Sequence, residues 1–363
     1  MEYRKLKTLA KYPTGKLNSN AAVEDGKYPF FTCAHEIYRI DQYSYDGEYV
    51  LLGGNNASGD FPIFYYNGKF DAYQRTYLIQ PLSKDTDTKY LYYSIGLKLH
   101  QMKANASGTA TKFLTQPILN NINIEYRNIE EQKRIADILS TYDNLIENNN
   151  KRIKLLEQMA ENLYKEWFVR FRFPGYEDVE FLDGFPKEWK ICRTDQLSKI
   201  KAGGDAPDDA TKEITDKCSI PIYSNGIENE GLYGYTSKAK INKPSITISA
   251  RGTVGYTCLR RVSYTPIVRL ICIIPHEEKL ANWLFYYFKR TIVTANGTSQ
   301  QQITIPMMSR EKVLLPTNDL IQKFYEYSTC YLDEIDSLKA QNSNLEKQRD
   351  MLLPRLMSGK IEV

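Results

Sequence analysis

Two long stretches of the chain carry an apolar residue at every seventh position, with a second apolar series four residues later. The first stretch ends at Trp167, and the second reaches Leu352. A heptad pattern of this length with charged flanks predicts two coiled-coil helices, each about 35–40 residues or about 55 Å long. The seam residues are Ile135, Tyr142, Asn149, Leu156 and Leu163 in the first helix and Phe324, Tyr331, Leu338, Leu345 and Leu352 in the second.

The second helix repeats the first at an offset of 189 residues, and the repeat extends beyond the helices. The stretch "ASGTATKFLTQP" from Ala106 aligns without a gap to "ANGTSQQQITIP" from Ala295, and "EYRKLKTLAKY" at Glu2 resembles "EWKICRTDQLSKI" at Glu188. Repetition on this scale indicates a duplicated unit. We therefore expect a globular unit at 1–128, a long helix at 129–175, a second globular unit at 176–318 and a second long helix at 319–363.

The globular units are rich in Gly, Asn and Tyr, and they contain short β-branched runs such as "YVLL", "SITIS" and "RLICII". This pattern predicts short strands joined by long loops. The expected fold class is mixed α+β, with two tandem units separated by two antiparallel helices and related by a pseudo-two-fold axis. Asn149 and Asn342 lie on the apolar seam, where they either fix the register of the pair or face solvent at a loosened turn.

Composition describes a globular chain and leaves its partner open. Hydrophobic residues make up 42% of the sequence and charged residues 25%, and the net charge of +4 is compatible with a polyanionic partner without requiring one. The six cysteines form no C-x-x-C pair, and no secretory signal opens the chain. A reducing cytoplasm is therefore the simplest location.

A catalytic or metal site is not predicted. The three histidines, His35, His100 and His276, are scattered, and neither a phosphate-binding G-x-x-x-x-G-K-[ST] loop nor H-E-x-x-H occurs. "LLGGNNASGD" lacks the G-x-G-x-x-G spacing of a dinucleotide loop. The "PDD" at Pro207 reads as a turn rather than as nuclease carboxylates.

Small polar, amide and basic residues recur in the loops of both units. Arg, Lys, Asn and Gln can bond base edges bidentately, and Ser, Thr and Lys suit phosphate oxygens. Any one of these residues can equally lie in an ordinary solvated turn. The candidate DNA contacts are Asn18, Asn20, Asn55, Asn56, Ser58, Thr109, Thr111 and Lys112 in the first unit and Asn225, Arg251, Thr253, Thr298, Gln300 and Gln301 in the second.

Several stretches resemble one protein family along the whole chain. "EEQKRIADILSTYDNLIENNNKRIKLLEQMAENLYKEWFVRFRFPGYE" is similar to the central conserved region of specificity subunits of type I restriction-modification enzymes, and "LLPRLMSGKIEV" resembles their C-terminal ending. "GKLNSNAAVEDGKYPFFTC" and "SARGTVGY" resemble stretches of their target recognition domains. The helical motifs are specific to the family, and the recognition-domain motifs are less so.

The resemblance implies a non-catalytic, sequence-specific DNA-binding subunit. Each recognition domain of the family reads one half of a bipartite target in double-stranded DNA, and the paired helices dock two methyltransferase subunits. The resemblance also implies that cofactors are bound by other subunits. The methyltransferase takes S-adenosylmethionine to methylate adenine, and a restriction subunit takes ATP and Mg²⁺ to translocate and cut.

The segment "YKEWFVRFRF" after the first helix has two interpretations. Its aromatic residues either pack on the neighbouring unit or, with the arginines beside them, form part of the methyltransferase dock, since aromatics and Arg are enriched at interfaces. The docking candidates are Arg152, Tyr164, Trp167, Arg170 and Arg172.

Other functions remain open at this point. They are a coiled-coil scaffold that binds no nucleic acid, a DNA-binding adaptor of another restriction-type system, and a stand-alone nuclease or methyltransferase.

Overall fold

The structure, a computed structural model, describes residues 2–108, 110–295 and 302–363. The chain forms two compact units. Unit 1 comprises Met1–Asn150 with Ala340–Val363, and unit 2 comprises Lys151–Lys339. Each unit therefore combines a globular β-rich part with segments of both long helices.

Unit 1 is built on a six-stranded sheet in the order β2-β8-β5-β7-β3-β4. All its pairs are antiparallel except β3 with β7. Its strands are β1 (Glu2–Lys5), β2 (Ala10–Lys11), β3 (Tyr28–Phe31), β4 (Tyr38–Ile40), β5 (Tyr45–Gly53), β6 (Asn55–Asn56), β7 (Ile63–Ala72), β8 (Thr76–Pro81), β9 (Lys112–Phe113) and β10 (Asn123–Tyr126). Its helices are α1 (Leu6–Leu9), α2 (Thr88–Gly96), α3 (Leu99–Asn105), α4 (Gln116–Asn120) and the first part of α5 (Ile129–Tyr164).

Unit 2 repeats this architecture with two sheets, in the orders β14-β20-β17-β18 and β16-β15-β19. Its strands are β11 (Phe181–Leu182), β12 (Phe185–Pro186), β13 (Lys190–Arg193), β14 (Ser198–Ala202), β15 (Ile220–Tyr223), β16 (Leu232–Thr236), β17 (Ser245–Ile248), β18 (Thr257–Arg260), β19 (Thr265–Pro266), β20 (Ile271–Pro275) and β21 (Lys312–Leu315). Its helices are α6 (Thr194–Leu197), α7 (Leu280–Ala295), α8 (Ile305–Arg310) and the first part of α9 (Asn318–Met357).

The two units have the same strand order, and the long strand β7 corresponds to two short strands, β18 and β19. β3 pairs in parallel with the end of β7, as β15 does with β19. From α4 onward each element of unit 1 starts 189 residues before its counterpart, since α4, β10 and α5 correspond to α8, β21 and α9. β1 pairs with β10 in the same register as β13 with β21. This start of the repeat is offset by 188 residues, so Glu2 corresponds to Lys190 and not to Glu188.

The predicted fold class and the two long helices are confirmed. α5 has 36 residues and α9 has 40. In unit 1 the beginning of α5 packs against the end of α9, with Ile135 and Leu356 in one core cluster. In unit 2 the end of α5 packs against the beginning of α9, where Tyr164 contacts Phe324. The helices are therefore antiparallel within each unit, and all ten predicted seam residues are buried or half-buried.

The two seam asparagines bond to each other in unit 1. Asn149 is 4% exposed and Asn342 is 7% exposed, and Asn149 Nδ2 donates to Asn342 Oδ1 at 2.9 Å and to Gln341 Oε1 at 2.7 Å. Asn342 Nδ2 in turn donates to Asn150 Oδ1 at 2.9 Å. A buried amide layer of this kind favours one register, because a slipped pair would leave these groups facing aliphatic side chains.

The amide layer is not duplicated. The repeat offset of 189 relates Asn149 to Leu338 and Asn342 to Ile153, and these two aliphatic residues pack together in unit 2. Each helix thus carries one amide and one aliphatic residue at these positions. The observed pairing of α5 with α9 matches amide to amide and aliphatic to aliphatic.

This layer predicts non-additive effects on stability. Replacing Asn342 alone by Leu should lower the free energy of unfolding by about 1–3 kcal/mol, because the buried Asn149 amide loses its seam partner. The double variant Asn149→Leu/Asn342→Leu should recover that loss, since it removes both seam amides. Denaturant-unfolding midpoints measure both effects, with the exposed Asn148→Leu as the matched control. Losses that simply add in the double variant would contradict the paired layer.

Candidate nucleic-acid interface

Five segments of unit 1 meet at one edge, called the unit 1 loop edge below. Main-chain hydrogen bonds of 2.8–3.0 Å hold them together: Gly54 N–H to Arg75 O, Leu114 N–H to Gly54 O, Tyr73 N–H to Phe31 O and Gly15 N–H to Thr76 O. Four of these segments line a cleft of about 520 Å³. The loop edge comprises residues 14–20, 32–35, 53–60, 73–76 and 107–115.

The sequence-predicted residues of this loop edge lie on adjacent strands. β6 pairs with β9, so that Asn55 lies opposite Phe113 and Asn56 opposite Lys112. Asn56 Oδ1 accepts hydrogen bonds from the Ser58 N–H and hydroxyl. The Asn55 Oδ1 atom is buried and has no hydrogen-bond partner among the described residues.

Three further predicted residues lie on the same loop edge. Asn18 and Asn20 are exposed on residues 14–20 of the loop edge, and Thr111 is half-buried in the loop before β9. Gly108 is fixed by the turn rather than by a ligand, because its φ is +102° and a Cβ there would lie 2.0 Å from Thr111 O. Thr109 lies outside the described residues.

Unit 2 has an equivalent loop edge. The loop after β17 corresponds to the loop after β5, since Ser249 N–H donates to Tyr256 O as Gly53 N–H donates to Pro62 O. It carries the exposed Arg251 and the half-buried Thr253, whose hydroxyl is buried without a described partner. Thr253 also lines a cleft of about 530 Å³ with Lys212. "LLGGNNASGD" and "SARGTVGY" are therefore counterparts, which sequence comparison without gaps does not reveal.

Asn225 holds this loop edge together through both ends of its side chain. Its Oδ1 accepts from Ala250 N–H at 2.7 Å, and its Nδ2 donates to Val268 O at 2.6 Å. In unit 1 a direct main-chain bond from Gly54 to Arg75 joins the same two segments. Asn225 therefore shapes the loops, and a base contact by its amide would require these bonds to break. Thr298, Gln300 and Gln301 lie outside the described residues.

The repeated aliphatic-Thr-x-Pro motif lies at the start of a helix in both units. Leu114 and Ile303 are each 4% exposed, and their N–H groups donate to Gly54 O and Ala250 O. Pro117 and Pro306 then occupy the first turns of α4 and α8, where a proline costs no helical hydrogen bond. The motif thus fixes the end of the loop that precedes it in each unit.

Two exposed arginines at the loop edges were missed by sequence reasoning. Arg75 lies between β7 and β8, and Arg269 lies between β19 and β20. They correspond at an offset of 194 residues, so an alignment held at 189 does not bring them together. "YQRT" and "IVRL" share only the arginine, which is too weak a signal to find without the strand pairing.

The acidic "PDD" forms the predicted turn. Asp209 accepts hydrogen bonds from the Thr236 and Ser237 hydroxyls and from Ser237 N–H. These bonds lower the pKa of the Asp209 carboxyl. Within the part of the chain that the structure describes, no group of three or more His, Cys, Asp or Glu residues is placed to hold a metal ion.

The docking candidates separate into buried and exposed residues. Tyr164 and Trp167 are 4% and 7% exposed and pack in the core of unit 2, where a π-helical turn at Lys165–Val169 directs Trp167 toward Phe324. This favours the packing interpretation of "YKEWFVRFRF", because buried rings cannot dock a partner. Arg152, Arg170 and Arg172 are exposed, and each is ion-paired to a glutamate.

Comparison with known proteins shows which family this duplicated chain belongs to. The family model described as the type I restriction modification DNA specificity domain matches residues 1–158 and 186–347. The chain belongs to the family of type I restriction-modification specificity subunits. It is accordingly the non-catalytic subunit that determines DNA target recognition in a type I restriction-modification assembly.

Individual relatives span most of the chain. A type I specificity subunit of Mycoplasma pneumoniae is 31% identical over 298 residues, which cover 80% of this chain and 78% of the relative. The EcoDI specificity subunit of Escherichia coli is 32% identical over 55% of this chain and 50% of its own length. The crystal structure of a type I S subunit from M. genitalium has the same fold, with a TM-score of 0.66, 18% identity and coverage of 98% of this chain and 95% of that one.

The described helices of this specificity subunit do not include a candidate membrane span. None of those within residues 2–108, 110–295 and 302–363 combines the length and the apolar character that a membrane span requires.

Proposed function

We propose that each unit reads one half of a bipartite DNA target through its loop edge. One observation carries this proposal: the same main-chain frame is built twice, and different side chains project from it. A shared frame presents the duplex with the same geometry at both half-sites, whereas the divergent side chains allow each half-site to have its own sequence.

The side chains of the two loop edges suit base recognition. Asn56 in unit 1 carries a side-chain NH₂ that can donate to a base acceptor, with Lys112 opposite it for a guanine or a phosphate. Arg251 in unit 2 carries the guanidinium that favours guanine, and Thr253 lies on the same loop. The arrangement supports different preferences for the two half-sites.

The proposed recognition domains are residues 1–128 and 176–318, joined to helical regions at 129–175 and 319–363. These boundaries follow the repeat, whereas the compact units divide both helices near their middle. We assign the helices to docking of two methyltransferase subunits, with S-adenosylmethionine on those subunits and ATP and Mg²⁺ on restriction subunits. The proposed location is the cytoplasm.

The proposed dock is an exposed apolar patch on unit 2 formed by Leu155, Met159 and Tyr327, called the helix patch. Their exposed fractions are 59%, 49% and 55%. The ion pair between Arg152 and Glu334 shows which flanks of α5 and α9 adjoin. Met159 and Tyr327 lie one heptad beyond that pair on the same flank. Apolar side chains this exposed on a packed helix pair indicate a partner surface.

A mutational test separates the two loop edges. Asn56→Ala/Lys112→Ala should relax one half of the methylated target and leave the other half unchanged, and Arg251→Ala/Thr253→Ala should do the reverse. Each lost bidentate contact should remove about 1–3 kcal/mol of base discrimination. Sequencing of methylated adenines in cells that carry the chain and its methyltransferase measures both half-sites at once.

The exposed residues Lys84 and Lys243 supply the controls, as Lys84→Ala and Lys243→Ala remove a charge away from either loop edge. These variants should keep the target intact. Relaxation of both half-sites by one pair of substitutions would contradict the assignment of one half-site to each unit.

The helix patch makes a separate prediction. Leu155→Glu/Met159→Glu should remove one of the two methyltransferase subunits from the co-purified complex, because burying two carboxylates against an apolar surface is unfavourable. The control Lys154→Glu/Gln158→Glu lies one position earlier with the same spacing and adds at least as much negative charge. If the control loses as much methyltransferase as the test variant, or the test variant retains both subunits, the patch is not the dock.

A further inference from the structure

Among the described residues, both loop edges carry an exposed arginine at a turn between consecutive strands, which are β7 and β8 in unit 1 and β19 and β20 in unit 2. The arginine turn is defined as Tyr73–Thr76 in unit 1 and as Ile267–Leu270 in unit 2. Arg75 and Arg269 occupy its third position, and both are exposed.

The same main-chain hydrogen bonds hold the two turns. Tyr73 N–H donates to Phe31 O, as Ile267 N–H does to Tyr223 O. Gln74 N–H donates to Leu17 O, as Val268 N–H does to Gly204 O. Thr76 N–H donates to Tyr73 O, as Leu270 N–H does to Ile267 O. The strand ends beside them also pair alike, in parallel bridges of Leu17 with Tyr73 and of Gly204 with Ile267. A turn fixed at this many points presents its arginine from a rigid base.

The backbone of the two turns differs, yet the arginine is present in both. Val268 and Arg269 have φ values of +52° and +59°, whereas Gln74 and Arg75 have none in the left-handed region. Left-handed backbone is uncommon for a β-branched residue and is found where a fold holds it in place. The arginine is thus shared although the two turns reach the same hydrogen bonds by different conformations.

Packing alone does not account for the arginine in both units. Arg75 lies over the Phe113 ring, with its guanidinium carbon 5.3 Å from the ring centroid. Arg269 has no ring contact or ion pair with residues in 2–108, 110–295 or 302–363, and Val268 beside it is 55% exposed. Both positions place an exposed cation on a loop edge whose other side chains differ between the units.

We propose that Arg75 and Arg269 are paired phosphate anchors, each of which binds the DNA backbone at its own half-site. This inference rests on the proposed function. A side chain that both half-sites require suits the chemistry common to both, which is the phosphate backbone, and a guanidinium bonds phosphate in a fixed fork. The divergent residues at 55–58, 112 and 251–253 then read the bases.

Binding of the full chain in complex with its methyltransferase tests the proposal. The probes are a duplex with the methylated target and a duplex with one half-site scrambled. Arg75→Ala and Arg269→Ala should each raise Kd on both duplexes by the same factor, about 5–10-fold at moderate salt. Each should reduce the slope of log K against log salt by about 0.9, and the double variant should reduce it by about twice that. The methylated sequence should not change.

Matched controls come from arginines on β1 and β13, away from the loop edges. Arg4 is half-buried and Arg193 is exposed, and Arg4→Ala and Arg193→Ala remove the same charge. They should leave the salt slope unchanged. Arg75→Lys should retain most of the slope, since it keeps the cation, and Arg269→Ala tests the proposal in a turn without a ring contact.

Two results would overturn the anchors while leaving the proposed function standing. One is a methylated target relaxed at a single base position, which would make the arginine a base reader. The other is an unchanged salt slope in a complex that still prefers its target. A wild-type complex that binds both duplexes equally would instead overturn the proposed function, and the anchors with it.

Discussion

Antiparallel packing of α5 against α9 is the interaction on which both units depend, because neither core closes without a helix segment distant in sequence. In unit 1 the core cluster that contains Leu6 and Val50 also contains Leu356 and Met357 from the end of the chain. In unit 2 the cluster around Trp283 includes Tyr164 and Trp167, which precede the globular part. A change in helix register would therefore disturb each core directly.

The amide layer is a buried polar contact within this helix packing. Asn149 and Asn342 are buried and bonded together, whereas the positions that the repeat relates to them hold Leu338 and Ile153. A helix paired with a second copy of itself would set an amide against an aliphatic side chain, which leaves a buried amide without a partner. The duplicated chain therefore carries one feature that distinguishes α5 from α9.

The duplication has kept the main-chain hydrogen bonds of the two loop edges, whereas the side chains on their loops differ. Main-chain bonds at Gly53 and Ser249, at Leu114 and Ile303 and at the two arginine turns recur in both units. Since these bonds do not depend on side chains, the loops between them can differ. Asn225 illustrates the freedom that remains, because a side chain there joins two segments that a main-chain bond joins in unit 1.

Much of the fold was predictable from sequence because its signals are periodic. The heptads indicate α5 and α9, and the offset of 189 holds from α4 to the end of the helices. Between β2 and α3 the loops differ in length, so a fixed offset misses the match of Arg75 with Arg269. The role of Asn225 was also not predictable, since it depends on hydrogen-bond partners that residue types do not reveal.

The most direct test of independent reading by two units is exchange of residues 1–128 for the corresponding part of another specificity subunit, with both helices retained. Sequencing of methylated adenines in cells that carry the exchanged chain and its methyltransferase gives the new target. We predict that one half-site changes while the other half-site and the spacing between them stay the same. A change in both half-sites would contradict the account.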